Sequence, residues 1–269
     1  MYRKFVRLTA VAVGVVGVSA ACQASASTLF TFANYDQRKS FNTDVTWTRN
    51  TTTKTGGVIV STDQGAHSGT ASPVSFTFVD PSAGALHNTP LVAVFSLNAF
   101  VPSSTPAFVQ GGNDVQPGVQ GTFSFIFQGG APVPGQSHQS MTFGVGPGAI
   151  TITNGAVLLT GKFTGASIIG SGATGDLVES TLTGGTLSYS SPFLAFDTGS
   201  PEAFDLHLTS VTPTFRIDQP GRAMTSFAAN STGKFYTEVP EPASWVLTLV
   251  GFGMLGAALR RSGRVRIAA

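Results

Sequence analysis

Apolar side chains in this chain recur at every second position, and that period decides what it can fold into. Val74, Phe76 and Phe78 alternate with Ser75 and Thr77; Phe123, Phe125 and Phe127 alternate with Ser124; Ile150 and Ile152, then Phe204, Leu206 and Leu208, repeat the pattern. Successive side chains of a strand point to opposite faces, so alternation with β-branched and aromatic residues marks half-buried antiparallel strands. The run Leu91-Val92-Ala93-Val94-Phe95-Ser96-Leu97 is apolar on both faces and reads as a central strand. Turn residues punctuate the runs at Asp80-Pro81-Ser82-Ala83-Gly84, Gln110-Gly111-Gly112-Asn113-Asp114, Gly146-Pro147-Gly148, Gly184-Gly185 and Gln219-Pro220-Gly221. No helical stripe of useful length precedes residue 239. The pattern predicts an all-β body, an antiparallel β-sandwich or jelly roll. A β-solenoid is the alternative, but no fixed repeat period supports it. No linker cuts the body, and the Pro- and Gly-rich stretch from Gly129 to Gly148 is its weakest point.

The two ends read differently. Arg3, Lys4 and Arg7 precede an uncharged apolar stretch from Leu8 to Ala21, and Ala24-Ser25-Ala26 follows as a small-residue cleavage site. These are the parts of a secretory signal peptide over residues 1–26, with Ser27 as the first mature residue. The only cysteine, Cys22, lies inside that segment, and Ser19 three residues before it makes a poor lipobox. Cleavage after Ala26 leaves a chain without cysteine, so disulfides and thiolate chemistry are not expected. At the other end, residues 243–259 carry no charge and are followed by Arg260, Arg261, Arg264 and Arg266. At about 1.5 Å per residue this span is just long enough to cross a bilayer. Trp245 at the outer interface and the arginines inside satisfy the positive-inside tendency. Gly251, Gly253 and Gly256 spell a dinucleotide fingerprint, but the strand, βαβ unit and distal acid that it requires are missing. They read as small packing residues of a membrane helix.

Pro240, Glu241 and Pro242, the aromatic Trp245 three residues on, a short Gly-rich hydrophobic helix and the cluster headed by Arg260 and Arg261 together resemble the PEP-CTERM sorting signal. The form is similar to the PEP-x-x-W-A variant, with Val246 in place of the usual Ala. The resemblance covers residues 239–269 and leaves 27–238 as the extracytoplasmic domain. It implies processing by exosortase, a membrane-embedded cysteine transpeptidase, after passage through the secretion machinery of a Gram-negative bacterium that makes exopolysaccharide. It further implies delivery to the cell surface or extracellular matrix. It says nothing of what the body binds.

The net charge of +2 is set by the ends. Between Ser27 and Glu238 there are eight Lys/Arg and twelve Asp/Glu, a balance of −4. With the basic residues scattered, no nucleic-acid partner is expected. No nucleophile elbow, H-E-x-x-H, EF-hand or P-loop occurs in the body, so no cofactor and no catalytic residue is assigned. Asp205 and His207 should share one strand face, as should Arg216 and Asp218, and alternate polar residues usually form the solvated face. The glutamates Glu179, Glu202 and Glu238 give a glycosidase no positive support. Trp47, Tyr35 and Tyr189 offer sugar-stacking surfaces, with burial in the core as the stronger expectation for Trp47. Calcium among loop aspartates such as Asp80 or Asp114 is not demanded by any ligand spacing.

These readings predict an exported, non-enzymatic surface or matrix protein, structural or adhesive and associated with exopolysaccharide. The alternative is a secreted polysaccharide-binding or polysaccharide-degrading protein. N-terminal sequencing of the secreted protein is expected to begin at Ser27; a lipid-modified residue 22 would overturn that cleavage site.

Overall fold

Residues 29–38, 43–63, 67–68, 71–129, 139–197 and 199–238 are described by the computed structural model. Fifteen strands carry this part of the chain. They are β1 (Leu29–Gln37), β2 (Val45–Arg49), β3 (Gly57–Asp63), β4 (His67–Ser68), β5 (Ser72–Phe78), β6 (Leu91–Val101), β7 (Phe108–Gln110) and β8 (Asn113–Phe127). There follow β9 (Ser140–Phe143), β10 (Ile150–Thr153), β11 (Val157–Ser171), β12 (Thr174–Ser180), β13 (Thr186–Ser190), β14 (Glu202–Thr212) and β15 (Phe227–Glu238). Among the described residues the only helical pieces are three short 3-10 turns.

Every strand pairing is antiparallel, and thirteen strands form one sheet that closes on itself. From β6 the ladder passes through β8, β11, β12 and β14 to β15. Two separate pairs bridge the remaining gap. At one end β5 and β1 join β6 to β15; at the other end β3 and β2 do so. Closure leaves free edges only on short strands such as β7 and β13, which removes the long exposed edge that invites aggregation.

The bridging pairs leave a seam where they part. On β6 the seam falls between Phe95, which faces β5, and Asn98, which faces β3; on β15 it falls between Ala229 and Gly233. Backbone N–H groups there lose a strand partner, and a buried donor must be satisfied. Side chains do it. Leu97 N–H donates to Ser61 Oγ at 3.0 Å, and Ser231 N–H donates to the Asp44 carboxylate at 2.8 Å. Asp44, 1 % exposed, also accepts from Ser72 Oγ at 2.5 Å, and Tyr35 donates its hydroxyl to Ser231 Oγ at 2.9 Å.

The alternation read from the sequence places every second side chain inside the closed sheet. Phe123 on β8 meets Phe235 on β15 with centroids 5.1 Å apart, and Tyr35 on β1 meets Phe125 on β8 at 5.0 Å. Phe76 lies 4.7 Å from Phe125, and Phe163 lies 5.0 Å from Phe204. Rings from opposite walls therefore touch, and the interior is a packed core. Such rings need room on the facing strand, which glycine provides. A Cβ on Gly161 would lie 2.2 Å from the Phe123 ring, and one on Gly233 would lie 2.4 Å from Tyr35. At one end of the ring, the segment between β14 and β15 lies across the opening, held by Trp47 Nε1–H to the Met224 carbonyl and Met224 N–H to Gln116 Oε1. At the other, the β9–β10 hairpin covers the end through Phe143, 6.1 Å from Phe127.

Asp44→Ala orphans two buried donors at the seam, and loss of stability by about 1–3 kcal/mol for each is expected in denaturant titrations. Asp44→Asn, which keeps one acceptor oxygen, is expected to lose less. A variant Gly161→Ala is expected to lose about 1–3 kcal/mol through overpacking against Phe123.

Candidate functional site

The fold sets the alternating polar residues of the sequence against partners on other strands. Asp205 and His207 do share the outer face of β14, but His207 Nδ1 lies 2.6 Å from Asp176 on β12, its cross-strand neighbour. Asp205 faces Lys234 on β15 instead. Burial raises the Asp205 carboxyl above its ordinary value, Asp176 adds to the rise, and His207 and Lys234 oppose it. Arg216 and Asp218 do not pair. Asp218 takes a two-pronged contact from Arg49, at 2.7 and 3.1 Å, with Arg222 at 3.6 Å, and the Arg49 hydrogen bonds hold its carboxyl below the ordinary value. This pair fastens the segment between β14 and β15 onto β2.

Glu179 and Glu202 lie on the inner face of adjacent strands β12 and β14 at one end of the ring, 5 % and 6 % exposed. Desolvation pushes each carboxyl up to about 7. Of these two only Glu202 reaches the cleft there, a space of about 510 Å³ lined also by Asp197, Tyr189, Phe196 and Leu182. Glu179 is covered by Gly185, whose Cα leaves room for the carboxylate; it accepts from Ser180 N–H, and its Oε2 has no hydrogen-bond partner. Glu238 ends β15, opposite Leu29 of β1. Among the described residues no group of three or more His, Cys, Asp or Glu side chains is placed to hold a metal; Asp80 instead caps the turn at Ser82 N–H.

The aromatics offered as stacking surfaces are inside. Trp47 and Tyr35 are 1 % exposed and Tyr189 is 8 % exposed, each with its polar atom hydrogen-bonded within the fold. Two rings are exposed: Phe100, 48 % accessible on β6 beside Val58 of β3, and Phe108, 46 % accessible on β7. Alternation along β6 places Phe100 outward on the same face as Asn98, beyond the 91–97 run that is apolar on both faces.

Phe100 belongs to an outer face on which six strands are in register. One row runs Thr48, Val58, Phe100, Gln120, Thr164, Thr186 across β2, β3, β6, β8, β11 and β13. The next row runs Thr46, Val60, Asn98, Thr122, Lys162, Ser188 over the same strands. A third, shorter row is Ser96, Ser124, Thr160, Ser190. Two shallow grooves follow these rows, about 300 Å³ around Thr122 and Lys162 and about 540 Å³ beside Phe100. Apart from Lys162 the three rows carry no charged side chain; Asp176, Asp205, His207 and Lys234 occupy the outer face of β12, β14 and β15.

The class of protein is therefore an all-β domain built on a closed antiparallel sheet, with β15 leading directly into the C-terminal segment. Residues 238–262 match the PEP-CTERM protein-sorting motif, so the chain carries the sorting signal of an exported, exosortase-targeted protein. No curated protein and no solved structure matches the chain significantly. The motif residues Pro240, Glu241, Pro242, Trp245, Arg260 and Arg261, the membrane helix predicted over 243–259, and the signal peptide with Ala24 and Ala26 lie outside the described residues. Among the described residues no helix is long and apolar enough to cross a membrane.

The raised carboxyls of Glu179 and Glu202 have a thermodynamic consequence. The folded state holds protons that the unfolded chain releases, so their contribution to stability is full below about pH 4.5 and is lost as pH rises through about 7. Melting temperature is expected to fall between pH 5 and 8. The Glu179→Gln, Glu202→Gln double variant is expected to flatten that slope and to melt above the wild type at pH 8.

Proposed function

We propose that this chain is a surface or extracellular-matrix protein, structural or adhesive rather than enzymatic, tethered first by the 243–259 helix and then processed by exosortase. The observation that carries the proposal is the PEP-CTERM motif over residues 238–262, which joins the end of β15 without a spacer. In this reading the closed sheet is flattened into two facing layers, the sandwich that the alternation predicts, and the layers present hydroxyl-rich outer faces to a hydrated matrix. Association with exopolysaccharide of a Gram-negative host is the partner chemistry that fits both the sorting route and that surface.

A polysaccharide-degrading enzyme needs two carboxyl groups facing one groove. Glu202 shares one cleft with Asp197 while Glu179 lies outside it, and the hydroxyl-bearing outer face, where the grooves follow the rows, carries no acid in its three rows. This arrangement favours binding over hydrolysis.

Intact mass of the protein recovered from its native host tests the sorting step. Wild type is expected to lack residues 1–26 and the segment beyond the PEP triplet, whereas a Pro240→Ala, Pro242→Ala variant is expected to keep its C-terminal segment and stay with the membrane fraction. Wild type recovered with an unprocessed C-terminus would refute exosortase processing.

A further inference from the structure

The hydroxyl-bearing rows on β2, β3, β6, β8, β11 and β13 have a regularity that a solvated face does not require. Strands in a sheet lie about 4.8 Å apart, so six of them set side chains at that interval along a line of about 24 Å. That interval is close to the length of one pyranose unit. A glycan lying across the strands would meet a fresh donor or acceptor at nearly every ring.

Some hydroxyls on the rows are engaged, Thr164 with Thr186 at 2.5 Å and Thr160 with the Ser190 carbonyl at 3.4 Å, but six polar side chains are not. Among the described residues Ser96, Asn98, Thr122, Ser124, Lys162 and Ser188 make no side-chain hydrogen bond within the protein. Their hydrogen-bonding capacity faces outward along the smaller groove. Beside them on β6, Phe100 turns an accessible ring to the same face, two residues from Asn98 of the smaller groove, and lines the larger one. An aromatic face takes the apolar C–H side of a sugar while amides and hydroxyls take its edge.

Charge narrows the ligand further. The body between Ser27 and Glu238 carries −4, yet the three rows contain no carboxylate and a single cation, Lys162. The other cation near the grooves, Arg49, is committed to Asp218. One ammonium group does not make a polyanion site, and exclusion of acids removes any reason for a polycation. Hydrogen bonds and stacking remain. We propose that this six-strand face is the binding strip for a neutral polysaccharide chain running across the strands, with Phe100 as the stacking platform and Asn98, Thr122, Lys162 and Ser188 as the line of polar contacts. The proposal rests on the matrix reading above and names the surface that would serve it.

Affinity electrophoresis of the mature protein through gels holding the neutral or the acidic exopolysaccharide fraction of the producing host tests it. Retardation by the neutral fraction, unchanged at high salt, is expected. Phe100→Ala and Asn98→Ala are each expected to weaken it about tenfold, and a blocking Thr122→Glu, Ser124→Glu variant to abolish it. Leu182→Ser, an exposed apolar residue off the strip, is expected to change nothing, and melting curves confirm that each variant is folded. If wild type binds and the strip variants bind equally well, the strip is wrong and the matrix reading stands. If wild type binds neither fraction, association with polysaccharide falls as well. Binding confined to the acidic fraction and lost in salt overturns the neutral class. Loss of self-association in the strip variants, seen by sedimentation, would make a second copy of the chain the occupant.

Discussion

The closed sheet depends on how two long strands, β6 and β15, accept different neighbours along one edge. Each changes partner partway along its length, and at the change a backbone N–H is left facing the interior. An unpaired buried donor would cost about as much as a lost core contact, so the seam is tolerable only because Ser61 and Asp44 supply acceptors. The same carboxylate holds Ser72 of β5, which ties both bridging pairs to one polar node. The aromatic interior can then be continuous across the seam, with Tyr35 contributing both a ring to the core and a hydroxyl to the node.

Polarity is distributed with similar economy. Ion pairs are few and peripheral: Arg49 with Asp218 fastens an end-covering segment, and His207 with Asp176 links neighbouring strands on a solvated face. The two inward carboxyls, Glu179 and Glu202, cost stability whenever they ionise. The charge-poor rows lie on β2, β3, β6, β8, β11 and β13, whereas Asp176, Asp205, His207 and Lys234 lie on the outer face of β12, β14 and β15, so one face is chemically unlike the other. Low charge in the sequence is thus a property of a particular surface and not only an average.

Much of this was legible in the chain. Alternation through Phe123, Phe125 and Phe127, and through Phe204, Leu206 and Leu208, gave the inward faces correctly because period two is a local property of extended backbone. Burial of Trp47 followed from ring size. Closure was not legible, because nothing local tells β15 to pair with β1, β2 and β14; the pairing partners of Asp205 and Asp218 were hidden for the same reason. Phe100 was missed since it lies past the 91–97 run, where a large aromatic is more often core than surface. Serine and threonine on alternate positions revealed a polar face, whereas their alignment into rows needed the register of five separate strand pairs.

The pairing of Leu29 with Glu238 has a consequence in time. A chain that crosses a membrane N-terminus first presents β1 early and β15 last, and β1, which can pair early with β5, must wait for its second partner at the far end of the body. Until then β1, β2 and β14 each have an edge that waits for β15, and the seam donors have no buried environment to occupy. Pairing across so long a sequence separation is intrinsically slow. The sorting motif begins at Glu238, the final residue of that closing strand. Completion of the ring and arrival of the sorting signal are therefore consecutive events on the same few residues.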